Sequence, residues 1–220
     1  MKLLQLLDLR TLGLEAMEPS SYNYVVTANR PTAVSHALTC SLYGELPSLV
    51  VAKGTRLEVH LVARDDGPTL IHDVALHGRV ASLSAFRPAT CAHDRLLLLT
   101  ASRRYAILGF DGERFATHAS GDLSDPIGRA RDAGPVGLVE PGAARIIAAH
   151  LYDGLLKVVP LDARTGALGA APFSARLDEL HVVDIVCLHA PPGAAPGEFA
   201  RPPTIAVLYE DAREARHVKT

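Results

Sequence analysis

Residues 96–110 read LLLLTASRRYAILGF, in which two apolar runs flank a short polar turn. The same arrangement recurs at residues 49–63, 145–160 and 204–220, so that successive units start about 47, 49 and 59 residues apart. Periods of about 40–50 residues with several strands in each unit are typical of β-propeller blades. Helical periodicity is weak after residue 20. The sequence therefore predicts an all-β chain that forms a partial β-propeller of about four blades.

Two local signals support strands on both sides of these turns. Residues 96–99 are apolar at every position, as expected of a strand that is covered on both faces. Asp153 and Gly154 together form one of the strongest two-residue signals for a β-hairpin. A single blade cannot bury both of its faces, so it is stable only between neighbouring blades. Propellers mostly bind or scaffold other molecules, which favours a docking function over a catalytic one.

The composition narrows the class of protein further. Hydrophobic residues make up 48% of the chain, charged residues 21%, and the formal net charge is −2. This is a globular composition, and no stretch shows the basic stripe expected of a duplex-DNA binder, so direct nucleic-acid binding is not expected from this segment. No apolar run approaches the 18 or so residues of a membrane-spanning helix, so no membrane partner is expected.

The residues that carry chemistry are scattered. The three cysteines, Cys40, Cys91 and Cys187, form no closely spaced pair, and the ten histidines form no metal-binding motif. We therefore expect no metal site and no cofactor, with Cys187 a buried thiol in a reducing compartment. The carboxylate pairs at 65–66 and 178–179 lie beside turns, where solvated charges are normal, and no nucleophile elbow occurs, so we expect no catalytic residues.

The sequence divides into a leader and a propeller portion. Residues 1–20 are expected to be a disordered or short helical leader, with Met17 an alternative to Met1 as the start. Residues 21–220 are expected to form the propeller portion, incomplete at its C-terminus because residues 216–220 read as the outgoing strand of a hairpin. Residues 190–203 carry five prolines and two glycines, which predicts a long surface loop.

Several segments, in order along the chain, resemble one known family. They are YNYVVTA (22–28), RPTAV (30–34), AKGTRLE (52–58), FRP (86–88), IGR (127–129), LYDGL (151–155), ELHV (179–182) and RHVKT (216–220). Together they resemble the N-terminal part of the large subunit of the UV-damaged-DNA-binding complex (the damaged-DNA-binding protein 1 family), the adaptor of cullin-4 RING ubiquitin ligases. The resemblance spans roughly residues 21–220.

The resemblance implies a protein of three propellers, of which this chain holds part of the first. In that family the first and third propellers grip propeller-type substrate receptors, and the middle propeller binds the cullin-4 scaffold. The chain would then be part of a non-catalytic adaptor that acts in DNA-damage recognition, DNA repair and protein ubiquitination, in nucleus and cytoplasm. It would reach the cullin-4 scaffold only through later domains that it does not contain.

The resemblance also points to a partner-binding site. The family's receptor-contacting loop resembles residues 124–134, with a further contact in the strand before the Tyr-Asp-Gly hairpin. Asp125, Arg129 and Asp132 fit charged positions of that loop, Pro126 and His150 stand where arginines are expected, and Ala133 stands where a threonine is expected. Losing two guanidinium groups would weaken bidentate contacts to receptor carboxylates or carbonyls.

Alternative interpretations remain open. A related large propeller subunit of an RNA-processing assembly, for splicing or 3′-end cleavage, has a similar first propeller, although the segments at 22–28 and 216–220 fit it poorly. A propeller hydrolase would need acidic residues facing the central channel, and none is evident. Arg129 and Arg131 could be phosphate contacts or belong to a solvated loop, and the family resemblance favours contact with a partner. Tyr152 is expected to pack across strands rather than to dock a partner.

Overall fold

The computed structural model describes residues 29–44, 46–63, 67–111, 114–140, 145–188 and 204–220. The chain divides into two units, Met1–Arg30 and Pro31–Thr220. Of the first unit only residues 29–30 are described, and the strands below all belong to the second. The predicted leader at 1–20, the start of the predicted propeller portion at 21–28 and the predicted loop at 190–203 lie outside the described residues.

The described residues form four antiparallel sheets, which we number as blades 1 to 4 in chain order. Blade 1 contains β1 (His36–Tyr43), β2 (Leu46–Lys53), β3 (Arg56–Ala63) and β4 (Gly67–Ala75), and blade 2 contains β5 (Val80–Phe86), β6 (Arg95–Thr100), β7 (Arg104–Phe110) and β8 (Phe115–Asp122). Blade 3 contains β9 (Val136–Val139), β10 (Ile146–Tyr152), β11 (Leu155–Pro160) and β12 (Phe173–Arg176), and blade 4 contains β13 (Val182–Cys187), β14 (Ile205–Glu210) and β15 (Arg216–Lys219). Strands within each sheet follow chain order, as in propeller blades, which confirms the all-β, partial-propeller prediction.

The repeated unit of the sequence is the pair of second and third strands in each blade. The predicted units at 49–63, 96–110, 145–160 and 204–220 correspond to β2–β3, β6–β7, β10–β11 and β14–β15. The outermost strands β8 and β12 were not predicted. Among the described residues no helix is long and apolar enough to cross a membrane.

Three hydrophobic clusters join the four blades in series. Leu96 and Leu98 of β6 pack with blade 1, whereas Leu97 and Leu99 of the same strand pack with blade 3. A third cluster joins blades 3 and 4 through Ala148 and its neighbours. The four leucines are each at most 2% exposed. Burial of each contributes about 1.5–3 kcal/mol, so the alternation along β6 holds blade 2 between its two neighbours.

Two kinds of connection lie at the same end of the blades: the turn between the second and third strands of a blade, and the segment that leads to the next blade. Leu123 donates from its backbone nitrogen to the Arg103 carbonyl at 3.0 Å, and Leu177 donates to the Gly154 carbonyl at 2.9 Å. The chain therefore leaves each blade beside the turn that joins that blade's second and third strands. We call this the hairpin end; it comprises turns 54–55, 101–103, 153–154 and 211–215 and connections 76–79, 123–135 and 177–181.

Candidate partner-binding site

The predicted site lies in the connection from blade 2 to blade 3, residues 123–135, which we call the inter-blade loop. Its middle runs alongside the end of β10. Arg131 donates from its backbone nitrogen to the Leu151 carbonyl at 3.2 Å, and Asp153 donates to the Arg129 carbonyl at 2.9 Å. Ala130 forms an isolated antiparallel bridge with Tyr152. These backbone bonds fix the loop on blade 3, so its exposed side chains are presented from a defined position.

Asp125 organises the first half of the inter-blade loop. Its backbone nitrogen donates to the Tyr152 hydroxyl at 2.7 Å. Its carboxylate accepts from the Ile127 and Gly128 backbone nitrogens at 3.0 and 3.2 Å and from Lys157 Nζ at 2.6 Å. These donors lower the pKa of Asp125, the hydrogen bond from Lys157 most strongly. Asp125 therefore acts within the structure by holding the turn around Ile127.

This turn packs against the side chain of Tyr152. Its side chain is 1% exposed, which confirms the prediction that it packs rather than docks. A Cβ added at Gly128 would lie 2.6 Å from a ring carbon of Tyr152. Arg103 and Lys157 lie over the ring, 5.2 and 5.9 Å from its centroid, within the range of cation–π attraction. The close approach of loop and ring requires glycine at position 128.

Arg131 fastens the second half of the loop to blade 4. Its guanidinium donates to the Gly134 carbonyl at 2.8 Å and to the carbonyls of Val182 and Val183 at 2.7 and 3.2 Å. The residue is 7% exposed, and this burial lowers its pKa. Arg131 therefore belongs neither to a solvated loop nor to the exposed surface, since its donors serve to link blades 3 and 4.

Four of the predicted site residues, Pro126, Arg129, Asp132 and Ala133, are exposed on the inter-blade loop. The Arg129 side chain is 80% exposed and approaches Asp153 only to 3.7 Å. All four lie on the same loop, and Arg129, Asp132 and Ala133 also line one cleft. Their contact with a partner stays a prediction.

His150 differs from the other predicted site residues because it is fully buried. Its side chain is 0% exposed, and neither ring nitrogen has a hydrogen-bond partner. Burial, and to a smaller degree the charge of Arg131, lower the pKa of His150 to about 4. The imidazole is therefore neutral at pH 7. It offers no surface to a partner in this structure, so it would influence binding only through the residues that cover it.

A cleft of about 470 Å³ separates the inter-blade loop from the β14–β15 turn of blade 4. Its lining is contributed by the loop, the 153–154 turn, residues 180–183 and the 210–214 segment; the residues are Arg129, Arg131, Asp132, Ala133, Asp153, Leu180, His181, Val182, Val183, Glu210, Asp211, Ala212 and Glu214. Arg129, Asp132 and Ala133 of the predicted site form one wall. Within the described ranges, no group of three or more His, Cys, Asp or Glu side chains is placed to hold a metal ion.

Two components of this surface were not predicted from the sequence. Ile127, at the tip of the loop, is 93% exposed, and its apolar side chain between Pro126 and Gly128 is the signal that could have identified it. The 210–214 wall lies at least 75 residues from the loop in sequence, so only the blade-by-blade repeat could have predicted its position at the same end.

Comparison with known proteins places this architecture in a family. The family described as RSE1/DDB1/CPSF1 first beta-propeller matches residues 33–220. The chain belongs to that family. The match covers all fifteen strands of the described blades, and it is consistent with the confirmed propeller architecture.

Three curated relatives carry variants of one name. The chain is 43% identical over 204 residues to DNA damage-binding protein 1 of Oryza sativa subsp. japonica. It is 45% and 43% identical over 205 residues to DNA damage-binding proteins 1a and 1b of Arabidopsis thaliana. Each alignment covers 91% of this chain and 18% of the relative. The chain therefore spans about a fifth of the length of these relatives, and the resemblance noted in the sequence is confirmed.

Proposed function

We propose that the chain is the receptor-holding part of a cullin-4 RING ubiquitin ligase adaptor that acts in DNA-damage recognition, DNA repair and protein ubiquitination. The observation that carries the proposal is the 43–45% identity over 91% of the chain to proteins named for damaged-DNA binding. The anchored inter-blade loop supports it, because a loop held by backbone bonds and by the Asp125 carboxylate presents Pro126, Ile127 and Arg129 with little backbone entropy left to lose on binding.

In this proposal the chain contributes contacts and no chemistry. The partners are propeller-type substrate receptors, which bind at the hairpin end, and the cullin-4 scaffold binds to other parts of the protein. DNA would be contacted by a receptor, since the net charge of −2 gives this chain no general attraction for phosphates. The adaptor would work in nucleus and cytoplasm.

The first experiment is affinity purification of the tagged, natively expressed protein followed by mass spectrometry. Recovery of a cullin-4 scaffold together with propeller-type receptors is the expected result. Recovery of splicing or 3′-end cleavage factors instead would overturn the proposal in favour of the RNA-processing alternative, which the family description also spans.

A matched pair of variants tests whether the hairpin end is the receptor surface. Ile127→Arg places a charge on the exposed loop tip, and we expect it to reduce receptor recovery at least tenfold. Leu70→Arg is the control, because Leu70 is 50% exposed on β4, away from the loop. Neither side chain is part of the core, so both variants should fold. Equal receptor recovery by the two variants would contradict the assignment of the receptor to this end.

A further inference from the structure

Another cavity lies between blades 1 and 2, and we call it the blade 1–2 groove. Its volume is about 480 Å³, within the range of pockets that bind peptides and small ligands. The floor is the face of blade 2 that is turned towards blade 1, and one side is formed by the end of β4 and the connection that follows it. Six apolar side chains line the groove: Val74, Leu76, Leu98, Ala106, Leu108 and Phe115. Both blades that form it are described, so its walls are those of a complete interface between neighbouring blades.

The groove exists because the two blades meet mainly through their inner strands. The main contacts between them join β1 and β2 to β5 and β7. Further out, the ring of Phe115 on β8 stacks on His72 of β4, with the ring centroids 5.9 Å apart. The groove extends from this stacked pair to the hairpin end, and along it Leu76, Ala106 and Phe115 are only half-buried. The floor is therefore apolar surface that the two blades do not cover themselves.

The side of the groove is the edge of a strand. β4 is the outermost strand of blade 1 in the described sheets and pairs with β3. Val74 and Ala75 both line the groove, although neighbouring side chains in a strand point to opposite faces. The groove therefore runs along the edge of β4. Outer-edge N–H and C=O groups of such a strand can bond to an added extended segment.

The charges at the hairpin end of the groove distinguish between occupants. Asp122 is the one carboxylate among the described residues that line it, and it accepts a hydrogen bond from the Ser124 backbone nitrogen at 2.7 Å. The Arg104 side chain is 66% exposed, and its Nε lies 4.0 Å from Asp122, too far for a hydrogen bond. Arg104 therefore keeps donors for an incoming carboxylate, which complements the apolar floor beside it.

From this geometry we infer that the blade 1–2 groove binds an extended segment of a partner protein, in which an aspartate or glutamate is followed by aliphatic residues. The segment pairs with the edge of β4 in the antiparallel direction, which is the more stable one. Because β4 runs towards the hairpin end, the acidic residue then lies at that end beside Arg104, and the aliphatic side chains rest on Ala106 and Phe115. The inference goes beyond the proposed function and does not depend on it, since it concerns blades 1 and 2 and not the inter-blade loop.

The test measures the binding of labelled, blocked hexapeptides to the full chain by fluorescence anisotropy. The probe is Ala-Asp-Leu-Val-Leu-Ala, whose two leucines point to the same side of an extended backbone. Replacing both leucines by serine should weaken binding at least about tenfold, and replacing aspartate by asparagine should weaken it about three- to fivefold. A photoreactive leucine analogue at either leucine position should crosslink to β4, β7 or β8, as located by mass spectrometry.

A matched pair of arginine variants identifies the carboxylate contact. Arg104→Gln should abolish the preference for the aspartate peptide over the asparagine peptide. Arg114→Gln is the control, because Arg114 is also an exposed arginine of blade 2, lies 3.6 Å from a carboxylate and is outside the groove lining. This variant should keep the preference.

A second pair of variants tests the groove itself. Thr117→Glu, at an exposed lining position on β8, should reduce binding of the aspartate peptide at least about tenfold, whereas Thr69→Glu, exposed on β4 outside the lining, should leave it unchanged. Equal binding of the leucine and serine peptides, an aspartate preference that survives Arg104→Gln, crosslinks outside the groove or no binding of the probe would each overturn the inference. A change of oligomeric state in Thr117→Glu, measured by light scattering, would instead assign the groove to a second copy of this chain and would also overturn it.

Discussion

His150 makes the stability of the propeller depend on pH. Its ring is 0% exposed between blades 3 and 4, both nitrogens lack partners, and the Arg131 guanidinium lies close enough to disfavour a second positive charge. A buried imidazole in this environment must stay neutral. The unfolded chain, in contrast, can protonate it freely in water.

The direction and size of the effect follow from the two pKa values. Burial lowers the pKa of His150 from 6.5 to about 4 in the fold, so between these values the unfolded state binds more protons than the folded state. Stability is therefore unaffected above pH 6.5, falls as the pH decreases from 6.5 to 4, and stays low below pH 4. The full loss is about 3 kcal/mol, of which about 2 kcal/mol is reached by pH 5.

The perturbation that isolates this effect is His150→Leu, which keeps an aliphatic volume in the same place and removes the titrating group. Because the chain has no tryptophan, urea unfolding is best followed by circular dichroism. At pH 7.5 we expect the variant to be within about 1 kcal/mol of the wild type or more stable, since two unpaired polar atoms are removed. At pH 5 it should be more stable by about 2 kcal/mol beyond any difference at pH 7.5.

The control for loss of one imidazole is His77→Leu, at an exposed position outside blade 3. Carboxylates that titrate below pH 5 contribute equally to all three proteins and cancel in the comparison. If His150→Leu lost stability between pH 7.5 and pH 5 by the same amount as the wild type, the assignment of the effect to His150 would be wrong.

Three further predictions concern the packing and are tested by urea unfolding at pH 7.5. Arg131→Met removes three hydrogen bonds to carbonyls and should lower the free energy of unfolding by about 3 kcal/mol, whereas Arg129→Met, at an 80% exposed side chain, should change it by no more than about 0.5 kcal/mol. Equal effects would contradict the role of Arg131 in linking blades 3 and 4. Leu97→Ala opens a cavity at a 2% exposed position between blades 2 and 3 and should cost about 2–5 kcal/mol; a loss below 1 kcal/mol would argue against that interface. Gly128→Ala forces its Cβ to within 2.6 Å of Tyr152 and should cost about 1–3 kcal/mol and reduce receptor recovery, and an unchanged protein would show that the loop does not rest on that ring.

The strands β6 and β10 in blades 2 and 3 were predictable because they are covered on both faces. In β6 every residue from 96 to 99 is apolar, and the structure divides these leucines between two interfaces. Because both faces of such a strand are packed against other residues, every position is apolar, and the continuous apolar run is a strong signal in the sequence. The Asp153-Gly154 turn was predictable for a local reason, since Gly154 adopts a φ of +72° that few residues tolerate.

The outermost strands of blades 2 and 3, β8 and β12, escaped prediction because they show no apolar pattern. β8 reads FATHASGD and β12 reads FSAR, and much of each is exposed. Each lies at the edge of its sheet and pairs with one neighbour, β7 and β11 respectively. Their strand conformation comes from backbone hydrogen bonds to β7 and β11, and such bonds place few requirements on the side chains.

The surroundings of position 150 could not be predicted from the sequence, although the histidine there departs from what the family resemblance predicts. The family resemblance led us to expect an arginine there, and the structure shows what such a residue would meet. Arg131, 19 residues earlier, already places a buried guanidinium against blade 4 through bonds to Val182 and Val183. A second buried cation beside it would be costly, whereas a neutral imidazole is tolerated. Histidine at 150 and arginine at 131 are therefore best understood together, because the charge of Arg131 disfavours a second positive charge at position 150.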